Sequence, residues 1–160
     1  MINVGIEDDW LFKVEEGGYY GHPNPMHDQY ILNGGNPTDG DDTNETDEYA
    51  VGTDADSNYQ IDDVYSLGTN RSPNGAIEYT SNIFGATLDG SLLFVEYSGG
   101  DDIRWVSLDE DGNVSGDTVL RDVDGNVITY VDPLDIIENP LTGQLYLMTL
   151  NRSTGESQVV

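Results

Sequence analysis

The chain has no cysteine and a single lysine, Lys13. Without cysteine there is no disulfide framework and no thiolate chemistry, and the redox compartment is left open. Lysine and arginine together number five against 31 acidic residues, a net charge of −26 over 160 residues. A duplex or an anionic bilayer repels such a surface, which argues against nucleic acid and membrane partners. No apolar run reaches the length of a membrane span, so membrane insertion is not expected. The opening MINVGIEDDW lacks the basic start and apolar core of a signal peptide, so an export signal is expected to lie outside this chain. Histidine is limited to His22 and His27, with no His-x-x-His or mixed His/Cys pattern for zinc or copper. There is no nucleophile elbow for Ser/His/Asp catalysis. Helical patterning is missing as well: no segment keeps an apolar period of 3.6 over three turns.

What is present is a succession of short β segments punctuated by glycine and aspartate. Residues 72–108 are the clearest. Ser72-Pro73-Asn74-Gly75 predicts a turn, since Pro73 fixes φ and Gly75 permits positive φ. GAIEY then reads as a short strand, Leu88-Asp89-Gly90 as a break, and LLFVEY as a buried strand. Ser98-Gly99-Gly100-Asp101-Asp102 turns the chain, and in the return Ile103, Trp105 and Ser107 alternate with Arg104, Val106 and Leu108. Three or four short antiparallel strands joined by Gly/Asp turns have the form of one β-propeller blade.

The same reading extends along the chain. Residues 9–15 predict a strand, residues 19–25 a Pro-rich aromatic loop, and residues 29–32 a short strand. Residues 39–63 carry ten acids and no base, which predicts a long solvated acidic loop inserted at about 38–64. Residues 117–121 read as a weak strand, 133–137 as an apolar strand, and 144–150 as a closing strand. GSLLFVEYSGG and GQLYLMTLNRSTG share a turn, an apolar strand and a turn, in keeping with repeated blades. The expected fold is all-β: antiparallel four-stranded meanders forming a partial propeller domain over residues 1–160.

The acidity has two readings. Spread over every loop, it fits a salt-adapted, halophilic surface whose self-repulsion is screened at high ionic strength. Clustered carboxylates alternatively bind calcium. Asp109-Glu110-Asp111-Gly112-Asn113 and Asp122-Val123-Asp124-Gly125-Asn126 raise that possibility, but lack the sixth-position glycine and distal glutamate of an EF-hand loop. Asp-Gly is also a favoured turn pair. Asp101 and Asp102 lie at a strand end where propellers gather ligand groups, the alternative being a polar hairpin tip. Arg71 is a candidate either for a ligand or for anchoring a carboxylate.

In order, LFKVEEGGYYGHPNP, YILNGGNPT, RSPNGAIEY, LLFVEYSGGDDI and DPLDIIENPLTGQLYLMT resemble the C-terminal part of the glucose/sorbosone dehydrogenase family. The motifs are a Gly-x-Tyr-Gly-x-Pro turn at Gly18 to Pro23, the Ser-Pro-x-Gly of Ser72 to Gly75, and Asp135 with Gly143 to Tyr146. The resemblance implies a six-bladed propeller, exported to the cell surface or beyond. It also implies pyrroloquinoline quinone and calcium for sugar oxidation in the intact protein. At about 40–50 residues per blade, two to three blades are represented here, completed by further blades of the same protein or by other copies. The family's histidine base sits in an early blade, so no catalytic residue is assigned. Cofactor candidates are Arg71, Asn74, Asp101 and Asp102; Tyr20 and His22 are candidates for a sugar or small polar ligand. Asp9 aligns with a calcium ligand, next to Trp10 where relatives carry glutamate. Relatives place a quinone-binding lysine where Ser98-Gly99-Gly100 stands, and an Arg-x-Arg pair where Asp132 and Leu134 stand. The alternative to an oxidoreductase is a non-catalytic binding or scaffold module.

Overall fold

The computed structural model describes residues 8–20, 31–32, 51–52, 64–83 and 87–160, and among them every regular element is a β-strand. The chain folds as two compact units, Met1–Thr69 and Asn70–Val160.

In the first unit, β1 (Asp8–Phe12) pairs antiparallel with the later β4 (Val64–Thr69). Between them, β2 (Ile31–Leu32) and β3 (Val51–Gly52) form a two-residue parallel pair. The strand expected over residues 9–15 stops at Phe12. The Tyr20 hydroxyl explains the early stop: it donates to Lys13 O and accepts from Glu15 N, satisfying main chain that a ladder would otherwise need. Apart from Val51–Gly52 and Val64, the acidic insertion lies outside the described residues.

The second unit is two stacked antiparallel meanders. β5 (Pro73–Glu78), β6 (Leu92–Glu96), β7 (Asp102–Leu108) and β8 (Val114–Val119) make a four-stranded sheet in sequence order. β9 (Pro133–Asn139), β10 (Gln144–Asn151) and β11 (Glu156–Val159) make a three-stranded one, rather than the four strands expected of each meander. Tyr79, Leu93, Val95 and Ile103 from the first sheet meet Ile136 and Leu147 from the second, and all six are buried. Ile77, Trp105 and Leu145 pack around them. Burying a side chain of this size contributes about 1.5–3 kcal/mol, so this one layer holds the two sheets together. The Tyr79 hydroxyl donates to Gly143 O at 2.9 Å, and Glu138 accepts from Thr80 N and Ser81 N at 2.9 and 2.7 Å, which fixes the stacking at one end.

Two expectations shift. Ser72 to Gly75 is not a free turn: Pro73 opens β5, and the register slips between Pro73 and Ala76. Gly75 is required there because a Cβ would overlap the Asp135 carboxylate and stand 2.6 Å from the Asp135 Cα. The strand expected at residues 117–121 begins earlier, at Val114, because Asp109 closes a tight turn. Asp109 accepts from the Asp111 and Asn113 amides at 3.0 and 2.8 Å, so pairing resumes at once, Val114 opposite Leu108. Residues 122–126 repeat that turn, with Asp122 accepting from Asp124 N and Asn126 N, both at 2.9 Å.

Candidate functional site

The hairpin loop between β6 and β7 is where unusual backbone collects. Among the described residues, the non-glycine residues with positive φ are Asn70 (54°), Ser72 (50°), Asp101 (51°) and Asp132 (43°). Asn70 and Ser72 flank one side of the loop: Tyr97 N donates to Ser72 O at 3.1 Å and Ser98 N to Arg71 O at 3.3 Å. The approach is close enough that a Cβ on Gly99 would lie 2.5 Å from Asn70 O. On the other side, Tyr130 N donates to Asp101 O at 2.6 Å. Left-handed backbone on a side-chain-bearing residue costs of order 1–3 kcal/mol and tends to gather where ligands are held.

A cleft of about 480 Å³ opens there, lined by Gly100, Asp101, Thr129, Tyr130, Val131 and Asp132. Two carboxylates face it under different conditions. Burial, followed by the charge of Asp132, pushes the Asp101 carboxyl above its usual range. The Arg152 main-chain N–H, backed by its guanidinium, holds Asp132 below that range. Arg152 contacts Asp132 through N, Nε and Nη2, each at 3.1 Å, and its guanidinium carbon sits 4.5 Å from the centre of the Tyr97 ring. The cleft therefore offers carboxylate acceptors and tyrosine, and its neighbouring cation is already matched to a carboxylate. Such a lining suits hydroxyl donors better than anions.

Beneath the loop lies a buried charge network on the face of the four-stranded sheet opposite the apolar core. Glu96 stands directly across from Asp102 in the β6–β7 ladder, and both are buried. Arg104 grips Asp117 with Nε–Oδ1 at 2.5 Å and Nη2–Oδ2 at 2.6 Å. It reaches Glu96 only at 3.5 Å, and Arg71 Nη1 reaches the other Glu96 oxygen at 3.6 Å while donating to Gly99 O at 3.2 Å. Burial, outweighing the pull of Arg104, pushes the Glu96 carboxyl up to about 7, with hydrogen bonding to Asp102 adding to the rise.

Of the residues singled out in the sequence, Arg71, Asp101 and Asp102 come together at this loop. Asn74 does not; it lies exposed in the bulge of β5. Asp102 is not the hairpin tip that the Asp101-Asp102 pair resembles, because it opens β7 with only 5% exposure. Tyr20 belongs to the first unit, where its ring stands edge-on to Phe12 at 5.4 Å. Asp9 lies opposite Gly68 at the bulge of β1, and it is the neighbouring Asp8 that takes hydrogen bonds from Ser66 and Thr69, at 2.7 and 2.6 Å. These bonds hold Asp8 below the usual carboxylate range. His22 lies outside the described residues. Among the described residues, no group of three or more carboxylate or imidazole side chains is arranged to hold a metal ion. In the two Asp-x-Asp-Gly-Asn turns, the leading aspartate accepts main-chain N–H groups; in the second, Asn126 and those amides hold Asp122 below its ordinary value.

The residues missed in the sequence are Glu96, Arg104, Asp117, Asp132 and Arg152. An acid inside the otherwise apolar LLFVEY, with an arginine in the returning strand, was the available signal for the first two. Compared with known proteins, the chain matches no family model and no curated sequence.

Proposed function

We propose that the second unit is a pair of β-propeller blades acting as a non-catalytic binding module. Its ligand is a neutral polyhydroxylated molecule, such as a sugar, held at the end of the sheets. The reading is supported above all by the cleft beside the β6–β7 loop, where Asp101 and Asp132 present acceptors and Tyr130, packed against the core, forms part of the wall. Sugar hydroxyls donate to carboxylates. The meanders stacked through Leu93, Ile103, Ile136 and Leu147 are compatible with neighbouring blades, completed by further blades of the protein or by other copies. The acidic, lysine-poor composition fits an extracellular or cell-surface setting at high salt.

Pyrroloquinoline quinone, with its three carboxylates, does not fit these residues. Arg152 is committed to Asp132 and Arg71 turns inward to Glu96, so two aspartates dominate the opening. A quinone-dependent sugar oxidation with calcium is the second reading, favoured by the order of the family-like motifs, with the catalytic base outside these residues.

Heteronuclear NMR titration of the chain with neutral mono- and disaccharides, and separately with the quinone, tests both. Saturable shifts centred on Gly100, Asp101 and Tyr130 with a neutral sugar, weakened by Asp101→Ala, are expected. Micromolar quinone binding would favour the second reading, and no response to any sugar would overturn the first.

A further inference from the structure

We propose that Glu96 carries a proton that it donates to Asp102 across the ladder, and that releasing it loosens the β6–β7 loop, a latch beneath the cleft. The inference rests on the buried network and is independent of what the cleft binds.

Among the described residues, Glu96, Asp102 and Asp117 meet Arg71 and Arg104, three carboxylates against two guanidiniums, which leaves one negative charge over. Geometry decides where that excess lies. Arg104 spends its short contacts on Asp117, at 2.5 and 2.6 Å, whereas Glu96 receives only the 3.5 and 3.6 Å approaches. Charge-assisted N–H···O bonds run at about 2.7–2.9 Å, so Glu96 is the under-compensated member. Among the described residues, no hydrogen-bond donor reaches either Glu96 oxygen or Asp102 Oδ1, all of them buried. Two ionised carboxylates have no hydrogen to share. Place a proton on Glu96, and its O–H donates to Asp102 across the ladder, satisfying both groups and removing the surplus charge together. The carboxyl of Glu96 standing near 7 agrees with that count.

The groups facing the pair among the described residues are Arg104 from β7, Asp117 from β8 and Arg71 ahead of β5, with Asp101 beside Asp102 in the chain. Asp101 carries its own raised carboxyl, so a charge appearing on Glu96 is felt at the mouth of the cleft. The loop is joined to the pair at two places. Arg71 bridges Glu96 and Gly99 O, and Gly100 leaves no room for a Cβ, which would lie 2.6 Å from the Asp102 carboxylate. Ionising Glu96 draws Arg71 toward it and puts like charges across the ladder, and both act on the residues that anchor the loop.

Infrared spectroscopy of the whole chain in D₂O tests the proton, and amide exchange tests the latch. A protonated-carboxyl C=O band is expected to persist above the pH range of ordinary carboxylates and to vanish with a midpoint near neutrality. Glu96→Gln and Asp102→Asn should each abolish it. Protection at Gly99 and Gly100, corrected for the intrinsic pH dependence of exchange, should fall about tenfold across the same midpoint in the wild type and stay constant in Glu96→Gln. Absence of the band in the wild type at pH 6 overturns the shared proton without any variant needing to fold. A band that titrates while loop protection stays unchanged overturns the latch.

Discussion

The two faces of the four-stranded sheet are built on opposite principles. One carries Leu93, Val95, Ile103 and Trp105 and packs without charge against Ile136 and Leu147. The other carries Glu96, Asp102, Arg104 and Asp117, with Phe94 and Val106 buried among the same strands. Strand alternation makes the contrast unavoidable, since successive side chains of β6 and β7 point to opposite sides. Apolar burial tolerates small errors in position; ionic burial does not, because a lost partner leaves a desolvated charge behind. The apolar face thus holds the sheets together, while the ionic face sets the geometry of the loop at the end of the strands.

Removing a member from each face is the sharpest way to test that contrast. Arg104→Ala strips Glu96 and Asp117 of their shared partner and should cost about 3–5 kcal/mol in urea denaturation. Leu93→Ala, on the other face, should cost about 2–5 kcal/mol, through lost transfer energy and a cavity, and should leave the loop amides protected. Equal disturbance of the loop by both variants would erase the distinction between the faces. Tyr79→Phe removes only the hydroxyl bond to Gly143 O and should cost about 1–2 kcal/mol.

The response to pH separates the faces more subtly. Glu96 stands at about 7 in the folded chain and near its ordinary 4.5 when unfolded. Its contribution to stability is therefore complete below 4.5 and is lost as pH rises through 7. Wild-type midpoints should fall over that window, and Glu96→Gln should flatten the decline. Asp8, Asp122 and Asp132 have the opposite sign: held below their usual values, they contribute above the ordinary aspartate range and cease to do so as pH drops beneath it. The smallest effect is expected for Arg152→Ala, whose side chain is 61% exposed: the denaturation midpoint should stay in place while sugar-induced shifts at Tyr130 change.

Much of this arrangement was legible beforehand. Gly/Asp punctuation gave the all-β meander, and alternation in 103–108 placed Ile103 and Trp105 on one face, where Ile103 is in the core and Trp105 packs against it. β4 and β11 escaped notice for a common reason. VYSLGT follows an acidic stretch and fully buries only Leu67, while ESQV is exposed throughout, so neither shows a clear alternation, and pairing with β1 and β10 defines them as strands. Asp101 and Asp102 read as equivalent neighbours in a polar turn. Only the ladder, which sets Asp102 across from Glu96, separates a buried group from one at the cleft. Asp132 and Arg152 are twenty positions apart, and nothing local marks them as partners.

The paired repetition of the turns bears on how the chain finds its fold. Asp109 to Asn113 and Asp122 to Asn126 close on themselves through one aspartate, while Asn139 to Gly143 and Asn151 to Gly155 close through main-chain bonds of 2.8 and 2.7 Å to the leading asparagine carbonyl. None of these closures waits for a distant segment. Each can therefore nucleate a hairpin by itself, and loop-closure entropy is met a few residues at a time. The second unit should accordingly assemble quickly from its tips inward, with the docking of β9 onto β5 and β6 as the late event.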